Sequence, residues 1–79
     1  MKNLILIGAG GHAKSVADSI NKSEYELCGF IDSNKKGTHM GLPILGTDFE
    51  DIPNYEEYSY FVSIGDVGYR KMWFDRIRT

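Results

Sequence analysis

The stretch NLILIGAGGHAKSVADSI, residues 3–20, changes its period partway: an unbroken apolar run ends on a glycine cluster, and the apolar residues beyond it recur at helical spacing. Residues 3–7 are β-formers without polar alternation, the pattern of a parallel strand covered on both faces. After Gly8-Ala9-Gly10-Gly11, small or apolar side chains return at Ala13, Val16, Ala17 and Ile20. That spacing gives a helix from Gly11 to about Asn21 one stripe to lay on a sheet. A strand, a tight glycine turn and a helix make a β-α unit.

Gly8, Gly10 and Ala13 stand in the register G-x-G-x-x-G/A at that junction. There the first glycine permits the turn, the second lets backbone approach a phosphate, and the small third residue lets helix and strand pack closely. The amides at the helix start then face the anion, helped by the helix dipole. A second strand is expected over residues 25–31, YELCGFI, with Asp32 at its tip, 24 residues after Gly8 and at the spacing where an acid reaches a ribose hydroxyl. His12, in the first helical turn, is placed to donate from a neutral imidazole, because a helix N-terminus disfavours its cation. Lys14 is a surface lysine or a phosphate contact. The bland alternative is that the glycines only close a turn, Asp32 caps a loop and His12 faces solvent.

Downstream, SNKKGTHMG is turn-rich, and His39 reads as loop surface with no second ligand at metal spacing. LPILGT is a short extended piece with Pro43 at an edge or a turn, and TDFEDI offers Thr47 or Asp48 as N-cap of a brief helix. Residues 58–64, YSYFVSI, form a third strand that Gly65-Asp66 breaks. Ile64, Gly65 and Asp66 then lie at a carboxyl strand end, where open α/β sheets bind ligands, and Asp66 either caps the next helix or accepts from the ligand. From residue 67 a helix carries Met72, Trp73, Ile77 and Tyr69 on its apolar side. With right-handed crossovers the expected fold class is α/β, a small Rossmann-like domain with a parallel sheet of three to four strands and flanking helices.

The bulk properties bound the function. The 79 residues hold one small domain, for which a single core stabilises folding by roughly 3–5 kcal/mol. With 42% hydrophobic and 25% charged residues the chain is an ordinary globular domain without repeats or low complexity. A net charge of −2 provides no basic face for nucleic acid, and Arg70, Lys71, Arg76 and Arg78 read as a solvated helix face. Cys28 is the only cysteine, which excludes an intrachain disulfide and multi-cysteine zinc, and it reads as a small buried side chain. No apolar run is long enough to span a membrane and no signal peptide opens the chain; a cytoplasmic protein is expected. The last helix meets no Gly or Pro stop, so the expectation is a truncated protein or an excised domain. Met72, Trp73 and Phe74 are then either core or a docking face for a missing neighbour.

Four segments in order, LILIGAGGHAKSVADSI, GFID, GLPILGT and FVSIGDVGYRKMW, make the whole chain resemble the N-terminal domain of the sugar O-acyltransferases. These are the sialic acid O-acetyltransferases (NeuD-like) and the UDP-4-amino-sugar N-acetyltransferases (PglD-like). The resemblance implies a Rossmann-like domain followed by a left-handed β-helix, absent here, that forms homotrimers, binds acetyl-CoA and carries the histidine base. It implies that this chain binds a nucleotide-activated sugar, is inactive alone and needs no cofactor of its own. Gly8, Ala9, Gly10, Gly11 and His12 would face the phosphates and sugar, Asp32 and Ser33 the nucleoside, and Ile64, Gly65 and Asp66 the opposite wall. Ser33 stands where the family often has a second acid, and Asp66 where it often has asparagine. Two other readings use the same turn: an NAD(P)-binding module, or a ligand-free regulatory domain.

Overall fold

The computed structural model describes residues 1–64 and 67–78, in the latter segment without the side chains of Val67, Tyr69 and Arg78. Five strands, β1 (Lys2–Ile7), β2 (Tyr25–Ile31), β3 (Thr38–His39), β4 (Leu42–Gly46) and β5 (Ser59–Val62), form one sheet in the order β3-β4-β2-β1-β5. Helix α1 (Gly11–Ser19) links β1 to β2, and α2 (Val67–Arg78) follows β5. Four strands, β4, β2, β1 and β5, run parallel; only β3 is antiparallel.

The apolar run that opens the chain is the central strand. Leu4 and Leu6 point to one face, where they pack with Ala9, Ala13, Ala17 and Phe30 under α1. Ile5 and Ile7 point to the other, where they meet Ile31, Ile52, Val62 and Trp73 under α2. Each such side chain, fully buried, contributes roughly 1.5–3 kcal/mol. Burial on both faces explains the missing polar alternation.

Leu27 and Phe30, three positions apart, nonetheless serve the same face. The register supplies the reason: Leu4 pairs with Leu27 but Ile5 with Gly29, so Cys28 is the extra residue of a β-bulge. Cys28 is therefore half-buried rather than the fully buried side chain expected. Gly29 is required beside it, because a Cβ there would stand 2.6 Å from the Pro43 carbonyl oxygen.

Three further expectations are corrected. His39 is not loop surface: it lies in β3, half-buried, its ring set edge-on to Phe30 at 5.1 Å. The hairpin that puts it there turns at Met40 and Gly41, both at positive φ (54° and 77°), as a two-residue turn of the I′ kind needs. Pro43 lies in β4, flanked on both sides rather than at the sheet's edge, although β3 covers only two of its residues. Met72 is exposed, whereas Trp73 is buried and Ile77 half-buried, so α2 presents a narrower apolar stripe than expected. Helix α1 ends at Ser19, and the expected brief helix is a 3-10 turn at Phe49–Asp51 capped by Asp48.

Candidate functional site

A cleft of about 360 Å³ opens at the carboxyl ends of β1 and β2, where the chain leaves the sheet for α1 and where Ser63 and Ile64 leave β5. Parallel strands joined by crossovers all release their chain at this edge, which is why loops distant in sequence meet there.

The four residues of the glycine turn divide by what constrains them. Gly8 sits at φ +107°, and a Cβ on it would lie 2.7 Å from Ile64 Cγ1, so the fold itself requires glycine. Gly10 and Gly11 have no atom within 4 Å of where a Cβ would be. Neither is at positive φ, and both line the cleft. Ala9 is turned inward: its methyl is fully buried in the core.

The Ala9 backbone is held from β2's side. Its N–H donates to Asp32 Oδ2 at 2.8 Å, and its carbonyl accepts from Lys35 Nζ at 3.0 Å. Asp32 Oδ1 accepts from the backbone N–H groups of Asn34 and Lys35 at 2.8 and 2.9 Å. Burial pushes the Asp32 pKa up, but the amides of Ala9, Asn34 and Lys35 together with the Lys35 charge outweigh it and leave the carboxyl below its ordinary value. Asp32 thus clips its own loop to the glycine turn. Three of the carboxylate's roughly four acceptor positions are taken, which leaves one unoccupied among the described residues.

On the opposite side Ser63 is buried; its hydroxyl lies 3.0 Å from the Ile7 carbonyl and 2.7 Å from that of Gly8, and its N–H donates to Ile7. The helix start is less constrained. Gly10 is the N-cap of α1, no side chain caps the helix, and its first turn carries no acid. Its first amides are the kind that accept an anion.

Of the residues expected at the site, Gly8, Gly10, Gly11, His12, Asp32, Ser33 and Ile64 line this cleft. Ala9 supports it from behind, and Lys14, exposed on α1, is not part of the lining. Gly65 and Asp66 lie outside the described residues. Asn34, Ser63 and Trp73 join the lining unforeseen. Ser63 was signalled by a hydroxyl set between Val62 and Ile64 at the carboxyl end of the expected third strand, Trp73 by its place in the apolar stripe of α2. Lys35 had no signal to separate it from Lys36. Among the described residues no group of His, Cys, Asp and Glu is arranged to hold a metal, and no helix is long and apolar enough to cross a membrane.

Residues 3–77 match the family model of the PglD N-terminal domain. The acetyltransferase domain of PglB from Neisseria gonorrhoeae superposes with a TM-score of 0.81 at 29% identity, covering 99% of this chain and 40% of that one. An uncharacterized protein of Acanthamoeba polyphaga mimivirus is 40% identical over 62 residues, 77% of this chain and 12% of that protein. The chain therefore spans well under half the length of these relatives.

Proposed function

The chain belongs to the family of PglD N-terminal domains, and from that membership we propose that it is the nucleotide-sugar-binding part of an acetyl-CoA-dependent sugar acetyltransferase. One observation carries the reading: Gly10 and Gly11 expose bare backbone to the cleft, and nothing in the chain itself fills the space their side chains would take. A ligand that must touch backbone accounts for glycine there. The uncapped start of α1 makes that ligand an anion, and the pyrophosphate of a nucleotide sugar fits.

In this reading the Gly10, Gly11 and His12 amides receive the phosphates and the His12 imidazole donates to a phosphate or to the sugar. Ser33 and Asn34 flank the nucleoside, and Ile64 and Trp73 form the apolar wall. Asp32 acts mainly as a scaffold and turns its remaining acceptor position to the ribose. Transfer of an acetyl group to a sugar amine or hydroxyl needs a general base to take the proton of the attacking group. His12 orients the acceptor; the base, the acetyl-CoA site and the trimer contacts belong to a following β-helix, in a cytoplasmic enzyme of glycan synthesis.

Calorimetric titration with UDP-N-acetylglucosamine, CMP-sialic acid, UDP, NAD and NADP tests this, repeated with Gly10→Val. Sugar-nucleotide binding that disappears in a variant with an unchanged melting curve is the expected result. Binding of NAD or NADP alone moves the chain to the dinucleotide-binding modules, and no binding by the folded chain overturns the reading.

A further inference from the structure

We infer that Lys35, which does not line the cleft, is the positioning residue that aims the Gly10 N–H at a phosphoryl oxygen of the bound ligand; this rests on the nucleotide reading of the site. The glycine turn contains two consecutive peptide planes with different constraints. In the first, the Gly8 carbonyl lies 2.7 Å from the Ser63 hydroxyl and the Ala9 N–H donates to Asp32 at 2.8 Å, so both ends are occupied. In the second, the Ala9 carbonyl accepts from Lys35 Nζ at 3.0 Å, while no acceptor among the described residues meets the Gly10 N–H.

A trans peptide is planar, and its C=O and N–H point in opposite directions. No peptide bond of the described residues is cis. Holding the Ala9 carbonyl therefore fixes where the Gly10 N–H points, and it points away from Lys35. Gly10 lines the cleft and Lys35 does not, so the free donor lies on the ligand side of the plane. The charged donor on the carbonyl also polarises the peptide and strengthens the N–H at its other end.

Lys35 is itself held for this task. Its backbone N–H donates to Asp32 Oδ1 at 2.9 Å, and the Asp32 charge keeps the ammonium nearby. One lysine and one aspartate thus pin two of the three polar ends of these planes that Ser63 does not reach, and leave the third, the Gly10 N–H, for the ligand.

The test compares K35M, K35R and, as a control on the same loop, K36M. In ¹H–¹⁵N spectra of the ligand-free chain, the Gly10 amide should shift in K35M, return toward its original position in K35R, and stay unmoved in K36M. An unmoved Gly10 amide in K35M overturns the inference, whatever binds. With UDP-N-acetylglucosamine as probe, K35M should weaken binding about tenfold, the effect of one charge-assisted contact, at an unchanged melting temperature, with K35R largely restoring it. Equal affinity of K35M and the parent overturns the inference; weaker binding with an undisturbed Gly10 amide makes Lys35 a direct phosphate contact and overturns it too. If the parent chain binds no sugar nucleotide, the nucleotide reading fails and the ligand-free spectra alone decide the role of Lys35.

Discussion

The two ends of β5 carry two differently built corners. At its carboxyl end the glycine turn is a backbone structure: Gly8, Ala9 and Gly10 are held by Ser63, Asp32 and Lys35, and donors are left over. At its start, side chains close on themselves around Phe49, which stacks on Tyr55 and meets Tyr60 and Trp73 edge-on at 4.9 and 5.4 Å. Arg76 lies 4.7 Å over the Trp73 ring and forks onto both oxygens of Asp48. Asp48 in turn caps the 3-10 turn through the Phe49 N–H. The Tyr60 hydroxyl donates to the Tyr55 carbonyl, and burial, with Tyr58 and Tyr55 nearby, pushes its pKa up to about 12. The aromatic corner borders the larger hollow, about 870 Å³, yet there Arg76 is paired with Asp48 and the Tyr60 hydroxyl with the Tyr55 carbonyl. What distinguishes the candidate site from this corner is unused backbone hydrogen-bonding capacity beside glycines the fold does not need, rather than the size of a hollow.

Substitutions sharpen that contrast. Gly8→Ala should be the most damaging, at about 3 kcal/mol, because it combines a left-handed φ with a Cβ driven onto Ile64. In a domain this small that loss leaves little folded protein by circular dichroism, whereas Gly10→Val should melt with the parent. Equal melting of the two would dissolve the distinction between fold glycine and site glycine.

Phe49→Ala should come next, at about 2 kcal/mol by urea unfolding, since a half-buried ring touching three others is removed. Sugar-nucleotide affinity should stay unchanged in the fraction that is folded. A loss of binding per folded molecule would join the two corners into one site.

Asp32→Asn should cost about 1 kcal/mol near neutral pH, because an amide cannot accept at both ends and leaves the Ala9 N–H or the loop amides unmet. The sign of the pH effect follows from the folded pKa, which burial raises but the three amides and Lys35 bring below the ordinary value. The stabilisation is present above the unfolded carboxylate pKa, about 4, and disappears as pH falls through the folded value. Urea midpoints of the parent should therefore drop as pH falls below about 4 and those of D32N should drop less; parallel acid limbs would show that Asp32 gains nothing from its amides.

The smallest effect is expected at Arg76→Met, about 0.5 kcal/mol, because its ion pair with Asp48 is more than a third exposed on both sides. Added salt should reduce the difference further. A salt-independent loss above 1 kcal/mol would mean that Arg76 acts through its ring contacts instead.

Much of this was written in local patterns. Strand β1, the turn and α1 follow from one change of period, and Gly8, Gly10 and Ala13 stand in the register of a phosphate-binding turn because each step of that turn constrains the chain within a few residues. Asp32 was legible as the acid at a strand tip, though its bonds to Ala9, Asn34 and Lys35 were not. His39 misled because a Met-Gly turn at positive φ is not among the usual hairpin signals, and the strand it terminates is only two residues long.

The sequence by itself determined the β-α-β order, the apolar strand at the centre and the presence of an unusual glycine junction, since these depend on spacing along a short stretch of chain. Only the tertiary structure decided which glycine serves the fold and which the cleft, that Ala9 is clamped from 26 residues away by Lys35, and that Ser63, 55 residues from Gly8, closes the other side. Those contacts arise because parallel strands bring their carboxyl ends to one edge, and no pattern within a single segment records which distant side chains arrive there.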